Sequence, residues 1–229
     1  MYWILLIGFM ILSWAVGARL KSKFRQYAEI PTSNGMSGAE IARKMLNDNG
    51  IYDVEILSVD GQLTDHYNPQ NKTINLSREV YNGRNVSAAA VAAHETGHAV
   101  QHAHAYSFLQ FRSAMVPLVS LSSKLMNIIF IASIFFSFVL HIFSFQTTLL
   151  IIIAAQAVIT LFSLVTLPVE FDASNRALVW LKSTGIAGGM EYDKAKDALK
   201  WAAMTYVVSA LAAVSSLLYY VSMLTGGDD

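Results

Sequence analysis

Cysteine is absent from this chain. That absence excludes disulfide bonds, iron–sulfur clusters, thiolate zinc sites and cysteine nucleophiles. Any metal site must therefore be built from histidine and carboxylate side chains. Net charge is absent as well, because sixteen Lys and Arg balance sixteen Asp and Glu. We therefore expect no basic surface of the kind that binds nucleic acid.

Charged residues are also scarce. They make up 14% of the chain against 54% hydrophobic residues, with a mean hydropathy of +0.43, whereas soluble domains carry about 25% charged residues. Four apolar stretches account for the excess, each close to the roughly 20 residues that a helix needs to cross a bilayer. We predict transmembrane helices over residues 1–18, 117–141, 147–169 and 201–224.

The first apolar stretch allows two interpretations. Residues 15–18 (Ala-Val-Gly-Ala) resemble a signal-peptidase cleavage site. However, no Lys or Arg precedes the apolar run, and the positive charges follow it instead. We therefore predict a retained membrane anchor.

Basic residues cluster in the first and third connections between the predicted helices. They are Arg19, Lys21, Lys23 and Arg25, then Arg176, Lys182, Lys194, Lys196 and Lys200. The second connection, residues 141–148, contains neither Lys nor Arg. The positive-inside rule then places residues 19–116 and 170–200 in the cytoplasm and both termini outside. We expect a multi-pass protein of the plasma membrane.

Residues 19–116 have the pattern of a small mixed α and β region. Ser37 and Glu40 form a capping-box sequence, which predicts a helix from Ala39 to Asn49 that ends at Gly50.

The rest of this region predicts two short strands and a second helix. Asp53–Val59 and Lys72–Ser77 have strand-like sequences, and His66–Pro69 between them has turn composition. Ser87 has the features of an N-cap, and the alanine-rich helix after it should reach at least Tyr106.

The second helix carries the sequence His94-Glu95-Thr96-Gly97-His98. Two histidines four residues apart project from one helix face, which allows both imidazoles to bind one Zn²⁺ ion. Zinc lowers the pKa of a bound water to about 7. Glu95 beside the first ligand is the candidate general base for that water. The alternative is a pair of surface histidines on an ordinary helix.

Catalytic zinc sites use three protein ligands and leave one position open. His104 has the spacing of a metzincin third ligand, but the glycine that breaks the helix in that pattern is replaced here by Gln101. With the helix unbroken, His104 points about 120° away from His98. His102 lies about 12 Å along the axis from His94. Both histidines are more consistent with supporting or surface positions.

Glu170 is the other candidate for the third ligand. It follows the third predicted transmembrane helix directly, so the predicted topology brings it to the same side of the membrane as His94 and His98. We expect a helix from Glu170 through Lys182 that ends at Gly185. The alternative role for Glu170 is an interfacial carboxylate at the membrane boundary.

These residues, together with the four-helix layout, resemble a known family. His94–His98, the turn and strand of His66–Ser77, and Glu170–Ser174 are similar to those of the YugP-type membrane zinc metallopeptidases. The resemblance covers nearly the whole chain. A more distant likeness extends to the gluzincin protease HtpX and to the CAAX-prenyl proteases.

The resemblance has implications for the site. In those relatives a Glu on a second helix completes the metal site, which assigns the third ligand to Glu170. An Asp four residues later supports the first His; this chain has Ser174 there, and Asp172 and Asn175 are alternatives for that role. The resemblance also implies that Lys72–Ser77 is an edge strand, with Thr73, Ile74 and Asn75 pairing with an extended substrate.

The tetrahedral intermediate of peptide hydrolysis requires an oxyanion stabiliser. Arg176, His66 and Tyr192 are candidates by residue type. Arg176 has an equally good explanation as a positive-inside charge.

We therefore expect a mainly α membrane protein with four transmembrane helices and a small α+β, zincin-like catalytic domain in the cytoplasm. Its expected function is zinc-dependent hydrolysis of peptide bonds, with one Zn²⁺ per chain and a polypeptide substrate, in particular a membrane protein. The alternatives are an intramembrane protease of the site-2 type and a non-catalytic metal-dependent membrane scaffold. An intramembrane protease would carry the His-Glu-x-x-His motif within a transmembrane helix, and the Ala88–Ala93 run before His94 is too short for that.

Overall fold

The computed structural model describes residues 2–135 and 144–226. Parts of the predicted second transmembrane helix, of the 141–148 connection and of the C-terminus lie outside the described residues. The described elements in chain order are α1 (Tyr2–Ala28), α2 (Gly38–Asp48), β1 (Glu55–Val59), β2 (His66–Asn68), β3 (Thr73–Ser77), α3 (Arg78–Asn82), α4 (Val86–Ala103), α5 (Ser107–Phe135), α6 (Phe145–Ser183) and α7 (Gly189–Thr225).

Four of these helices are long and apolar enough to cross a membrane. They cover Trp3–Ala28, Ser107–Ala132, Phe145–Ser183 and Gly189–Thr225, in agreement with the four predicted apolar stretches. The helices are longer than those stretches, because residues outside the apolar run are also helical. α5 begins at Ser107, for example, well before residue 117.

The chain forms two compact units. The first comprises residues 1–14, 111–167 and 206–229. Within it, Gln156 and Thr160 of α6 both donate hydrogen bonds to the carbonyl oxygen of Ala213 in α7, at 3.2 and 3.1 Å. Interhelical hydrogen bonds of this kind help to hold apolar helices together.

The second unit comprises residues 15–110 and 168–205 and contains a three-stranded sheet of order β1-β3-β2. β1 pairs with β3 in parallel and β2 pairs with β3 antiparallel. The residues predicted as a turn, His66–Pro69, therefore contribute the strand β2. Its three residues gain their extended conformation by pairing with β3.

The prediction that Lys72–Ser77 is an edge strand is wrong for the described sheet. β3 lies in the centre, so the backbone of Thr73, Ile74 and Asn75 pairs with Glu55–Leu57 on one side and with β2 on the other. All five residues of β3 are buried. A substrate cannot add to a strand whose two sides are already paired, so these three residues are not the substrate strand.

α2 forms at its predicted position because the capping box is made. The Ser37 amide donates to Glu40 Oε2 at 2.7 Å, and the Glu40 amide donates to Ser37 Oγ at 3.2 Å. Gly50 follows the helix with φ +70°, as expected for the residue that ends it. Ile41, Leu46 and the other apolar residues of α2 pack in a core shared with β3, α4, α6 and α7.

Candidate metal centre

The helix α4 positions the His94–His98 sequence, but it begins two residues earlier than predicted. Its N-cap is Asn85, whose side-chain oxygen accepts a hydrogen bond from the Ala88 amide at 2.9 Å. Ser87, the predicted N-cap, lies within the first turn. Asn85 forms a β-bridge with Pro31, and this tertiary contact holds it in the extended conformation that an N-cap requires.

The end of α4 also differs from the prediction that the helix reaches Tyr106. α4 ends at Ala103, His104 is the C-cap, and Ala105 has φ +50°. The helix is therefore continuous through Gln101, as expected without a glycine there. His104 is exposed and lies outside the group of potential metal ligands found among the described residues.

That group consists of His94 and His98 of α4 and Glu170 of α6, all of them buried. Glu170 Oε2 lies 3.3 Å from His94 Nε2 and 3.6 Å from His98 Nε2. The ligand atoms of the three residues all lie within 4.8 Å of one another. The structure thus brings together the three residues that the sequence and the family resemblance singled out.

The donor set and its spacing fit zinc. Bonds of about 2.0–2.1 Å to nitrogen and oxygen place neighbouring tetrahedral ligands about 3.3 Å apart. Both distances to Glu170 are close to that value. Two imidazoles and one carboxylate also match the His₂Glu ligand set of catalytic zinc sites, in which the fourth position is open.

Gly97 explains how α6 comes so close to α4. A Cβ atom at residue 97 would lie only 2.6 Å from the carbonyl oxygen of Ala173. Because a glycine has no Cβ, the two backbones can approach at this point, three residues from Glu170. The sequence reveals the glycine but not its role, since nothing local identifies the residue it faces.

Gln101 determines which nitrogen of the His98 imidazole carries the hydrogen. The Gln101 amide group donates to the Val169 carbonyl and to Asp172 Oδ2, each at 2.8 Å. Its oxygen therefore faces His98 Nδ1, 3.0 Å away, and accepts a hydrogen bond from it. This leaves the lone pair of His98 on Nε2, which points to Glu170. Sequence reasoning missed this residue, although Gln101 lies three positions after His98 on the same helix face.

His94 has a separate partner, Ser174. Ser174 Oγ lies 3.1 Å from His94 Nδ1, so Ser174, rather than Asp172, makes the contact that the resemblance implied for this position. Asp172, one alternative, instead lies on the His98 side and accepts from Gln101.

The candidates for an oxyanion stabiliser have other contacts. Arg176 donates to Asp172 Oδ2 at 2.6 Å and lies over the ring of Tyr106. His66 is exposed, with its Nδ1 2.8 Å from the Thr64 carbonyl oxygen. The ring of Tyr192 lies 5.5 Å from the Lys182 ammonium. Arg176 is thus linked to His98 through Asp172 and Gln101, whereas the contacts of His66 and Tyr192 do not involve the three potential ligands.

The electrostatics of the group are set by Glu170. Burial by itself lowers the pKa of His98, but the hydrogen bond and charge of the Glu170 carboxylate outweigh burial and raise that pKa. The negative charge of Glu95 acts in the same direction. The site therefore attracts positive charge, which is the requirement for binding a cation.

Glu95 is held by the neighbouring strand. The Tyr67 amide of β2 donates to Glu95 Oε2 at 3.0 Å, and the Tyr67 hydroxyl lies 2.8 Å from His102 Nδ1. Burial, with a smaller contribution from Asp53, raises the pKa of Tyr67 to about 12, so the hydroxyl stays protonated. Sequence reasoning also missed Tyr67, because strand β2 itself was not foreseen.

α4 is not among the four helices that are long and apolar enough to cross a membrane in the described part of the chain. An intramembrane protease of the site-2 type would carry its His-Glu-x-x-His sequence on such a helix. The structure therefore argues against that alternative.

Comparison with known proteins is consistent with a zinc site at these residues. A profile of the family described as "Putative neutral zinc metallopeptidase" matches residues 2–225. The chain is 39% identical over 211 residues to the "Putative membrane protease YugP" of Bacillus subtilis (strain 168), covering 92% of this chain and 91% of that protein. No solved structure matches the chain significantly. Since both similarities extend over nearly its full length, the chain belongs to the YugP-type family of putative neutral zinc metallopeptidases.

Proposed function

We propose that this protein is a membrane-anchored, zinc-dependent endopeptidase that hydrolyses peptide bonds at the cytoplasmic face of the membrane. The observation that carries the proposal is the convergence of His94, His98 and Glu170, with Glu95 beside the first of them. Two helices distant in sequence deliver these side chains to one buried point. A scaffold without catalytic function would not need a general base beside its metal ligands.

The metal would be held by His94 Nε2, His98 Nε2 and a Glu170 oxygen. Both histidines are already fixed in the required orientation by hydrogen bonds at Nδ1. Zinc bound there would supply a Lewis acid that lowers the pKa of a water molecule to about 7. Fixed ligand orientation reduces the reorganisation needed on binding, and partners of this kind contribute about 10- to 100-fold to metal affinity.

Glu95 is the general base of the proposed reaction. Its Oε2 accepts the Tyr67 amide, so we assign the proton transfer to Oε1. The carboxylate takes a proton from the attacking water and returns it to the amine that leaves. The bond from β2 keeps the carboxylate in place during both steps.

The substrate strand in this proposal is β2 rather than β3. Because the Tyr67 amide points to Glu95 and not to β3, the outer side of β2 faces the proposed general base. Because Glu95 already accepts the Tyr67 amide, an extended peptide would pair with this outer side by donating to the Tyr67 carbonyl, and it would pass beside Glu95. Backbone pairing of this type binds peptides with little dependence on their sequence.

Measurements of peptide cleavage test the proposed peptidase function. Protein purified in detergent should cleave an unfolded polypeptide, lose activity with a chelator and regain it with Zn²⁺. Glu95→Gln should retain the metal and lose activity by about 10²–10⁴-fold, since the amide keeps the shape but accepts no proton.

The matched control is Glu55→Gln, an exposed glutamate on β1, which should leave the rate unchanged. Wild-type rates for Glu95→Gln would contradict the assignment of the base. Loss of metal in that variant would make Glu95 structural.

The cytoplasmic location follows from the distribution of Lys and Arg and requires its own measurement. Single cysteines introduced at Ser144 and Ser183, both exposed, should be labelled from opposite faces of the membrane by an impermeant reagent. The chain offers a clean background, because it has no native cysteine. Labelling of both from the same face would contradict the topology.

A further inference from the structure

A pocket of about 360 Å³ lies along the helix that carries the proposed metal ligands. Its α4 wall contains Ser87, Ala88 and Val91. At about 100° per residue, Ser87 and Val91 lie on the same face of α4 as His94 and His98, within about 60°. The pocket thus borders the same stripe of α4, towards its N-terminus.

The pocket lies close to the proposed metal ligands along the axis of α4. Val91 precedes His94 by three residues, or about 4.5 Å along the helix axis. An extended peptide advances about 3.3 Å per residue. A side chain one or two residues from the bond being cleaved could therefore reach the pocket.

The opposite wall belongs to the continuation of α1. Phe24 and Ala28, together with Lys21 and Arg25 on the same helix face, line the pocket. This wall is fixed to α4, because the Val86 amide donates to the Ile30 carbonyl at 2.9 Å. The pocket is accordingly formed before any ligand arrives.

Four polar residues of the pocket are hydrogen-bonded to one another in pairs. Asp65 accepts hydrogen bonds from the Ser77 amide at 2.7 Å and from the Ser77 hydroxyl at 3.3 Å. Glu79 accepts from the Gln62 side chain at 2.9 Å. Two basic and two acidic residues leave no net charge for an ionic ligand. Apart from Asn85 and Ser87, the remaining lining residues are apolar and include Leu63, Val80 and Val91.

We propose that this pocket receives a large apolar side chain of the peptide substrate. The continuation of the first membrane helix thereby determines which bonds are cleaved, in addition to anchoring the protein. The volume lies within the roughly 300–1,000 Å³ typical of ligand pockets. This proposal rests on the proposed peptidase function and assigns its preference.

The first experiment compares two tryptophan substitutions on α1. Ala28→Trp places a bulky ring at the pocket, whereas Gln26→Trp places the same ring on the opposite, exposed face of the helix. Cleavage of a random peptide library, mapped by mass spectrometry, should show large apolar residues enriched at one position near the cleaved bond in the wild type. Ala28→Trp should lower kcat/KM for such peptides by about tenfold or more and shift the preference to Ala, Gly and Ser. Gln26→Trp should retain the wild-type preference.

A second experiment does not require turnover. A peptide that carries a photoreactive leucine is irradiated with the full-length Glu95→Gln variant loaded with Zn²⁺. Cross-links are expected at Leu63, Val80 or Val91 and should disappear in the double variant with Ala28→Trp. If the wild type cleaves nothing but these cross-links form, the peptidase function fails and the pocket assignment stands.

Two results would overturn the pocket proposal. One is an unchanged library preference in Ala28→Trp. The other is cross-linking confined to residues outside the pocket. Retention of phosphatidylglycerol by the wild type and its loss in Ala28→Trp, without any change in preference, would assign the pocket to a lipid instead.

Discussion

The two compact units of this protein use polar side chains in different ways. In the unit of residues 1–14, 111–167 and 206–229, polar side chains such as Gln156 and Thr160 bond to a backbone carbonyl. In the other unit, Gln101 links one histidine, one backbone carbonyl and one carboxylate at the same time. The first arrangement holds helices together, whereas the second orients particular atoms.

This difference has a consequence for mutational sensitivity. When two polar side chains donate to the same acceptor, one of them can be removed with little loss of stability, because the acceptor keeps the other donor. Removal of one member of a buried network leaves several partners unsatisfied, at about 1–3 kcal/mol for each. The same substitution should therefore have unequal effects in the two units, and matched pairs of residues make that comparison measurable.

The largest effect is expected at the proposed third ligand. Glu170→Ala should purify with far less than one zinc per chain and without detectable activity, because two imidazoles hold zinc poorly. His104→Ala, at an exposed residue of the same unit, should retain metal and activity. Elemental analysis of both proteins measures the difference. A metal-free His104→Ala variant beside a zinc-loaded Glu170→Ala variant would reverse the assignment.

The next largest effect, on metal affinity, is expected when Gln101 is substituted, with Gln156 of the other unit as the matched control. Gln101→Leu removes the acceptor of His98 and the donor to Asp172, so metal affinity should fall by about 10- to 100-fold. Gln156→Leu removes one of two donors to the Ala213 carbonyl, and Thr160 still satisfies that oxygen. Zinc titration against a competing chelator should show unchanged affinity for Gln156→Leu. Equal losses of affinity in both variants would contradict the difference between the units.

A glycine pair should give an effect of comparable size, on stability rather than on metal affinity. Gly97→Ala forces a Cβ against the Ala173 carbonyl oxygen and should destabilise the protein by about 1–3 kcal/mol. Gly8→Ala meets no atom within 4 Å and should change stability by no more than about 1 kcal/mol. Thermal unfolding in one detergent compares the two. An unaffected Gly97→Ala variant would show that the close approach of α4 and α6 is not required.

Much of this fold could be predicted where the responsible interactions are local. The capping box at Ser37 and Glu40 involves residues three apart, and its prediction is confirmed. The four apolar helices follow from hydropathy alone and are found. The local sequence predicts Ser87 rather than Asn85 as the N-cap of α4, because the bridge that fixes Asn85 comes from Pro31. The edge position of Lys72–Ser77 was wrong for a similar reason, since strand order depends on pairing partners that local sequence does not specify.

The sequence by itself determined which residues have the chemistry for this site. A helix of 3.6 residues per turn places His94 and His98 on one face wherever that helix lies. Only the tertiary structure decided what surrounds them. Ser174 lies 80 residues from His94 in the chain and 3.1 Å from it in space, and Glu170 reaches both histidines because Gly97 allows two backbones to meet. Helical periodicity acts within a few residues, whereas close packing joins segments whose separation in sequence carries no signal.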